Sequence, residues 1–120
     1  MRPCLPFRDE QTHLRDILEA IVLIESFVGD MELSTYREDL KTKSAVERQI
    51  QILSEATKRL GEASGPKYIG PDWRSYCNMG NIIRHAYHRV DDELIWNTLK
   101  HDLPQLKRSL QQTLEDWPKS

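Results

Sequence analysis

Residues 14–28 read Leu-Arg-Asp-Ile-Leu-Glu-Ala-Ile-Val-Leu-Ile-Glu-Ser-Phe-Val. Leu14, Ile17, Leu18, Ile21, Ile24 and Val28 recur at i, i+3, i+4 and i+7, the period of an amphipathic helix. Asp9 is placed to cap that helix and Gly29 to stop it, so the spacing predicts a helix over 9–28. The stretch belongs to a longer window favouring helix: between Phe7 and Gly65 there is no proline, and only Gly29 and Gly61 interrupt.

Reading outward, 34–40 is predicted as a short helical turn capped by Ser34. Ser44-x-x-Glu47 has the capping-box pattern, in which each side chain satisfies the other residue's backbone N–H. Val46, Ile50, Leu53, Thr57 and Leu60 follow at helical spacing, with Gly61 placed to end that helix. Gly65-Pro66 and Gly70-Pro71 bracket a predicted loop. Asp72 then caps a segment over 73–86 whose stripe is Trp73, Tyr76, Gly80, Ile83 and Tyr87. Asp91, Asp92 and Glu93 put negative charge where a helix N-terminus is positive. Ile95, Leu99, Leu103, Leu106, Leu110 and Leu114 continue from there, with Pro104 inside the run. That proline must kink the helix or begin a new one capped by Asp102. No segment alternates like a strand. The expectation is an all-α antiparallel bundle of four to five helices, one domain over 1–120.

Composition sets the class. The chain has 120 residues, a net charge of −2, 38% hydrophobic and 30% charged residues. A chain of this size buries roughly two-thirds of its unfolded surface, enough for a core without metals or disulfides. Near-neutral charge means that any nucleic-acid contact must come from a local patch. No apolar run approaches the ~18 residues of a membrane helix. The start, Met1 to Phe7, carries two prolines and no apolar h-region, so a cytoplasmic protein without membrane contact is expected. Cys4 and Cys77 are then expected to be reduced.

Phosphate-binding glycine loops, Cys-x-x-Cys pairs and nucleophile elbows do not occur in the sequence. Glu10-Gln11-Thr12-His13 has no second Glu-x-x-His partner, and His85, His88 and Asp91 are a sparse set, so no metal and no cofactor are expected. Residues 80–89, Gly-Asn-Ile-Ile-Arg-His-Ala-Tyr-His-Arg, are richer. They gather Arg84, Arg89, His85, His88, Asn81 and Tyr87, with Arg74 upstream. Histidine titrates near neutrality and can take a proton from a 2′-hydroxyl or give one to a leaving oxygen. Arginine stays cationic and forks onto phosphate oxygens. Those groups suit a metal-independent nuclease. The same residues also suit a solvated helix end.

Several stretches resemble the HepT-like family of HEPN domains. Leu18-Glu19-Ala20-Ile21 is similar to the family's opening helix. Lys43-x-Ala45-Val46-x-Arg48 and Ile52-Leu53-Ser54-Glu55-Ala56 are similar to its second long helix, with Ser54 where the family often has glycine. Pro71-Asp72-Trp73 resembles the start of the catalytic helix. Val90-Asp91, Ile95-Trp96-Asn97-Thr98 and Asp102-Leu103-Pro104-Gln105-Leu106 resemble the closing helix. The family's signature is Arg, usually Asn, three residues, His, one residue, Tyr. Asn81, His85 and Tyr87 match it, whereas Gly80 stands at the arginine position. Residues 80 and 84 share a helix face, and helical side chains lean toward the N-terminus. Arg84 is therefore expected to reach into the space that Gly80 leaves empty. Alternatively, Gly80 lets a neighbouring helix approach closely and catalysis is lost.

The resemblance implies a toxin ribonuclease whose antitoxin is an MntA-type minimal nucleotidyltransferase. It implies RNA as substrate, tRNA being one candidate. Asn81, Arg84 and His85 would be catalytic, in a site at a homodimer interface, and AMPylation of Tyr87 would silence it. Arg74, His88 and Arg89 are candidate RNA contacts, and Tyr87 also fits a core or interface position. The homodimer is expected to pack through the His85-bearing helix, because Trp73, Tyr76, Ile83 and Tyr87 are more apolar surface than a thin bundle covers. Two alternatives stand: a non-catalytic HEPN domain that binds a nucleotidyltransferase, and a structural helical interaction module. The first would bind the partner without cutting RNA; the second would ignore both.

Overall fold

The structure, a computed structural model, describes residues 6–84 and 91–118, with side chains from residue 10 onward. Its helices are α1 (Pro6–Val28), α2 (Leu33–Glu38), α3 (Leu40–Tyr68), α4 (Trp73–Arg84), α5 (Asp92–Asn97) and α6 (Leu103–Glu115), with a π-helical turn over Thr98–Asp102. No strand occurs among the described residues. α5, the π turn and α6 run on without a break, and the described residues form the all-α bundle that the periodicity predicts.

The centre is α3, against which both α1 and α4 pack, while α6 closes on α1. Leu14, Ile17, Ile21 and Ile24 of α1 are buried against Val46, Ile50 and Leu53 of α3, with Leu103, Leu106 and Leu110 of α6 joining them. Each such side chain contributes roughly 1.5–3 kcal/mol by leaving water. The core extends to Tyr36 of α2, whose ring lies 5.1 Å from that of Trp96. No described helix is long and apolar enough to cross a membrane.

The helix ends differ from expectation in instructive ways. Gly29 does stop α1, at φ 54°, but α1 begins at Pro6, which leaves Asp9 inside the helix rather than at its cap. The short α2 begins at Leu33, so Ser34 is within its first turn and does not cap it. Asp39, not Ser44, starts α3: its carboxylate accepts from the Thr42 backbone N–H at 3.0 Å and from the Thr42 hydroxyl at 2.8 Å. Those bonds hold its carboxyl below the usual carboxylate range and make a cap one turn before Ser44 and Glu47.

Gly61 does interrupt the helix where the sequence places a stop: its backbone is non-helical, at φ 78° and ψ 175°, and a second helical stretch runs on beyond the kink to Tyr68, the end of α3. Gly65 and Pro66 are therefore helical, and the loop shrinks to 69–72. Gly65 is required by contact: a Cβ there would run into the Trp73 indole. That indole donates from Nε1 to the Thr57 carbonyl at 2.9 Å, which docks the start of α4 on α3. Pro104 stands in the first turn of a new helix, α6, as one of its two expected roles requires; Asp102 is at the N-cap position but makes no side-chain cap bond, and a wider π turn leads into the helix. Asp91 caps α5 by accepting from the N–H groups of Glu93 and Leu94.

Trp73, Tyr76 and Ile83 are each less than a tenth exposed within the single chain. These three therefore do not supply the uncovered surface from which a partner chain was expected, since α4 packs on α3; Tyr87, the fourth residue of that expectation, lies outside the described residues. Burial also pushes the Tyr76 phenol up to about 12, so it stays protonated.

Candidate active site at the end of α4

The turn 69–72 sends α4 back antiparallel along α3, so Trp73 lies against Gly65 and Gly80 lies against Ser54. Ser54 is buried, and its hydroxyl donates to the Cys77 carbonyl at 2.7 Å. A Cβ built on Gly80 would stand 2.7 Å from Ser54 Oγ and 2.9 Å from Ser54 Cβ. The space beside Gly80 is therefore not empty, contrary to the sequence expectation, because a side chain of α3 fills it. The close helix approach that Gly80 was also expected to permit is what the packing has.

Arg84, one turn on, is exposed and leans back as helical side chains do. Its guanidinium Nη2 comes within 3.8 Å of the same Cβ position. Ser54 and Gly80 are thus two sides of one contact, with a cation at its edge.

Asn81 is half-buried, and its Oδ1 accepts from Lys58 Nζ at 3.3 Å. Sequence reading missed Lys58. Its only sequence signal is a position one turn after Ser54, which means nothing until Ser54 is known to face α4. Beyond Arg84 an open cleft of about 370 Å³ runs along α3 and reaches Asp16 of α1. Arg48, Glu55 and Arg59 also line it, and Arg59 and Glu55 make a loose exposed pair at 4.0 Å.

The other candidates are distributed differently. Arg74 stands ten residues before Arg84, about 15 Å along the helix axis, and pairs with Glu62 at 3.0 Å on the surface. It is not gathered with Asn81 and Arg84. His85, Tyr87, His88 and Arg89 lie outside the described residues. Burial raises the Cys77 thiol above its ordinary value, against the pull of Lys58 and Arg74, so it is a thiol and not a thiolate nucleophile at neutral pH. Among the described residues no group of three or more His, Cys, Asp or Glu side chains could hold a metal. Glu10 accepts instead from the Ser64 and Tyr68 hydroxyls.

A second open cleft, about 410 Å³, lies between α4 and α5. Ile82 and Leu94 stand half-exposed in it, and Asp72 and Asp102 are at its margin.

Comparison with known proteins bears on these residues. No solved structure gives a significant match. The chain is 37% identical over 102 residues to a protein of Thermococcus cleftensis named probable ribonuclease HepT, a match covering 83% of this chain and 91% of that one. It is 32% identical over 113 residues to a Methanocaldococcus jannaschii protein named "Gamma-glutamylcyclotransferase and putative RNase". That match takes in 94% of this chain and 51% of the longer protein, so the chain spans about half of it. Residues 17–113, from the core of α1 through most of α6, match the family described as ribonuclease HepT-like. The helical rods, the α4 that bears Asn81 and Arg84, and this match agree: the chain belongs to the HepT-like ribonuclease family.

Proposed function

We propose that the chain is a metal-independent endoribonuclease, the toxin of a pair whose antitoxin is an MntA-type nucleotidyltransferase. Family membership and the relatives' names support the ribonuclease activity. The observation that carries it to this chain is the Arg84 guanidinium, 3.8 Å from where a side chain at position 80 would begin. A cation stands beside the position of the family arginine although the arginine itself is absent.

The chemistry follows from the residue types. His85, directly after Arg84 in the chain, takes the proton of a ribose 2′-hydroxyl. The oxygen attacks the adjacent phosphorus, and the P–O5′ bond breaks. A second imidazole protonates the leaving 5′-oxygen, and a 2′,3′-cyclic phosphate remains. In a homodimer the second imidazole is the partner copy's own histidine at this position. Arg84 and the Asn81 amide donate to the phosphate oxygens as negative charge builds on them. No step needs a metal. His88 and Arg89 are placed in sequence to hold flanking phosphates, and tRNA is one candidate substrate. Cleavage should persist in a chelator and disappear in His85→Ala. Activity restored only by added Mg²⁺ would count against this chemistry.

Ile82 and Leu94 support assembly as a homodimer through this helix. Ile82 is 46% exposed and Leu94 50%, and both face the cleft beside the site-bearing helix. Light scattering should return twice the 14.1 kDa chain mass, and Ile82→Glu should return the monomer.

Control by the antitoxin is read from His85-Ala86-Tyr87. AMP attached to the Tyr87 hydroxyl would add negative charge on the RNA path and repel the backbone. Incubation with the nucleotidyltransferase and ATP should raise the intact mass by whole adenylyl units and quench cleavage, and Tyr87→Phe should block both. The tight Ser54–Gly80 contact favours one other reading, a domain that binds the nucleotidyltransferase but has lost catalysis. A wild type that binds the partner yet leaves RNA intact would select it.

A further inference from the structure

Lys58 is half-buried on α3, one turn beyond Ser54, where α3 faces α4. No carboxylate pairs with it among the described residues; its ammonium donates to Asn81 Oδ1. An ammonium has only donors, so the amide atom facing it must be oxygen. The Asn81 NH₂ group, on the other branch of the amide, is thereby turned away from Lys58. Among the described residues nothing accepts from it. Arg84 lies three residues on along α4, and its guanidinium comes back toward position 80. Two cations from different helices therefore bracket the Gly80–Asn81 step.

We infer that Lys58 is a positioning residue of this site, fixing the Asn81 amide with its oxygen toward α3 and its N–H donors free for a phosphate oxygen. The inference rests on the ribonuclease reading. It explains how the site works without an arginine at 80. Arg84 supplies the forked cation, and Lys58 keeps Asn81 from turning an acceptor toward an anion, an orientation that would repel the phosphate.

The test is a cycle of Lys58→Met, Asn81→Ala and the double variant, read as kcat/KM on a short RNA oligonucleotide. Each single change should lower it about tenfold or more, the scale of one hydrogen bond to a charged group. The double variant should be no worse than Asn81→Ala, because Lys58 acts through that amide. Lys58→Arg should keep most of the activity. Full activity in Lys58→Met, or losses that multiply in the double variant, would overturn the inference. A second readout needs no activity. The Asn81 side-chain NH₂ signals in an ¹⁵N–¹H spectrum should move in Lys58→Met and stay near wild type in Lys58→Arg. Unmoved signals in Lys58→Met overturn the inference whatever wild type does to RNA. A wild type that cuts no RNA removes the ribonuclease reading, and the Asn81 signals then decide the Lys58 contact alone.

Discussion

Arg84→Ala should lower RNA cleavage by about 10²-fold or more, the usual loss when one transition-state donor is removed. The expectation follows from what surrounds position 84. Ser54 blocks the place where the family's arginine would begin, and the Arg84 guanidinium is the group at the margin of that contact. Arg84→Lys should recover only part of the activity, because an ammonium cannot fork onto two phosphate oxygens. Stability should hardly change: Arg84 is exposed at the last described turn of α4 and makes no ion pair among the described residues. Circular dichroism melts run beside the cleavage assay separate the two effects. Cleavage equal to wild type in Arg84→Ala would show that the arginine does not act on the phosphate.

Gly80→Ala should destabilise the fold, although the same change in a helix ordinarily gains roughly 0.5–1 kcal/mol. The added Cβ would lie 2.7 Å from Ser54 Oγ and 2.9 Å from Ser54 Cβ. The second atom is fixed to the α3 backbone and cannot swing aside, so the helices themselves must separate. Overpacking of that kind costs about 1–3 kcal/mol. Set against the helix gain, that cost should still lower the melting temperature by a few degrees. Ser54→Gly removes both obstructing atoms, so Gly80→Ala should cost less in that background than in wild type. The same logic governs any attempt to restore the family arrangement. Gly80→Arg should be tolerated only together with Ser54→Gly. Gly80→Ala melting at or above wild type would mean that α3 and α4 do not approach as closely as this packing requires.

Much of the bundle was legible because one-sided burial repeats along the chain. Leu14, Ile17, Ile21 and Ile24 mark α1, and Leu103, Leu106 and Leu110 mark α6; all are buried where the periodicity puts them. The ends were less legible. Caps compete locally, and Asp39 with Thr42 starts α3 before the Ser44–Glu47 pattern is reached. The π turn before Pro104 leaves no compositional mark.

The site divides the same way. Arg84, Asn81 and Gly80 could be placed on one helix from their spacing. That Ser54 occupies the space at Gly80 could not, because the contact joins residues 26 positions apart through the packing of α3 on α4. Lys58 was invisible for the same reason: a lone lysine carries no signal until its neighbour is an amide from another helix. Of the four residues from which a surplus of apolar surface is inferred, Trp73, Tyr76 and Ile83 are buried within the chain, and Tyr87 lies outside the described residues. Spacing shows that such residues share a stripe but not how much of that stripe the packing of α4 on α3 covers.

If Arg84 serves in place of an arginine at position 80, the chain should cut RNA without a metal. The most direct measurement is the end chemistry of RNA incubated with the wild-type protein in EDTA. New fragments should end in 2′,3′-cyclic phosphate and begin with a 5′-hydroxyl. Intact RNA would contradict this role of Arg84, and so would fragments ending in a 3′-hydroxyl that appear only when Mg²⁺ is restored.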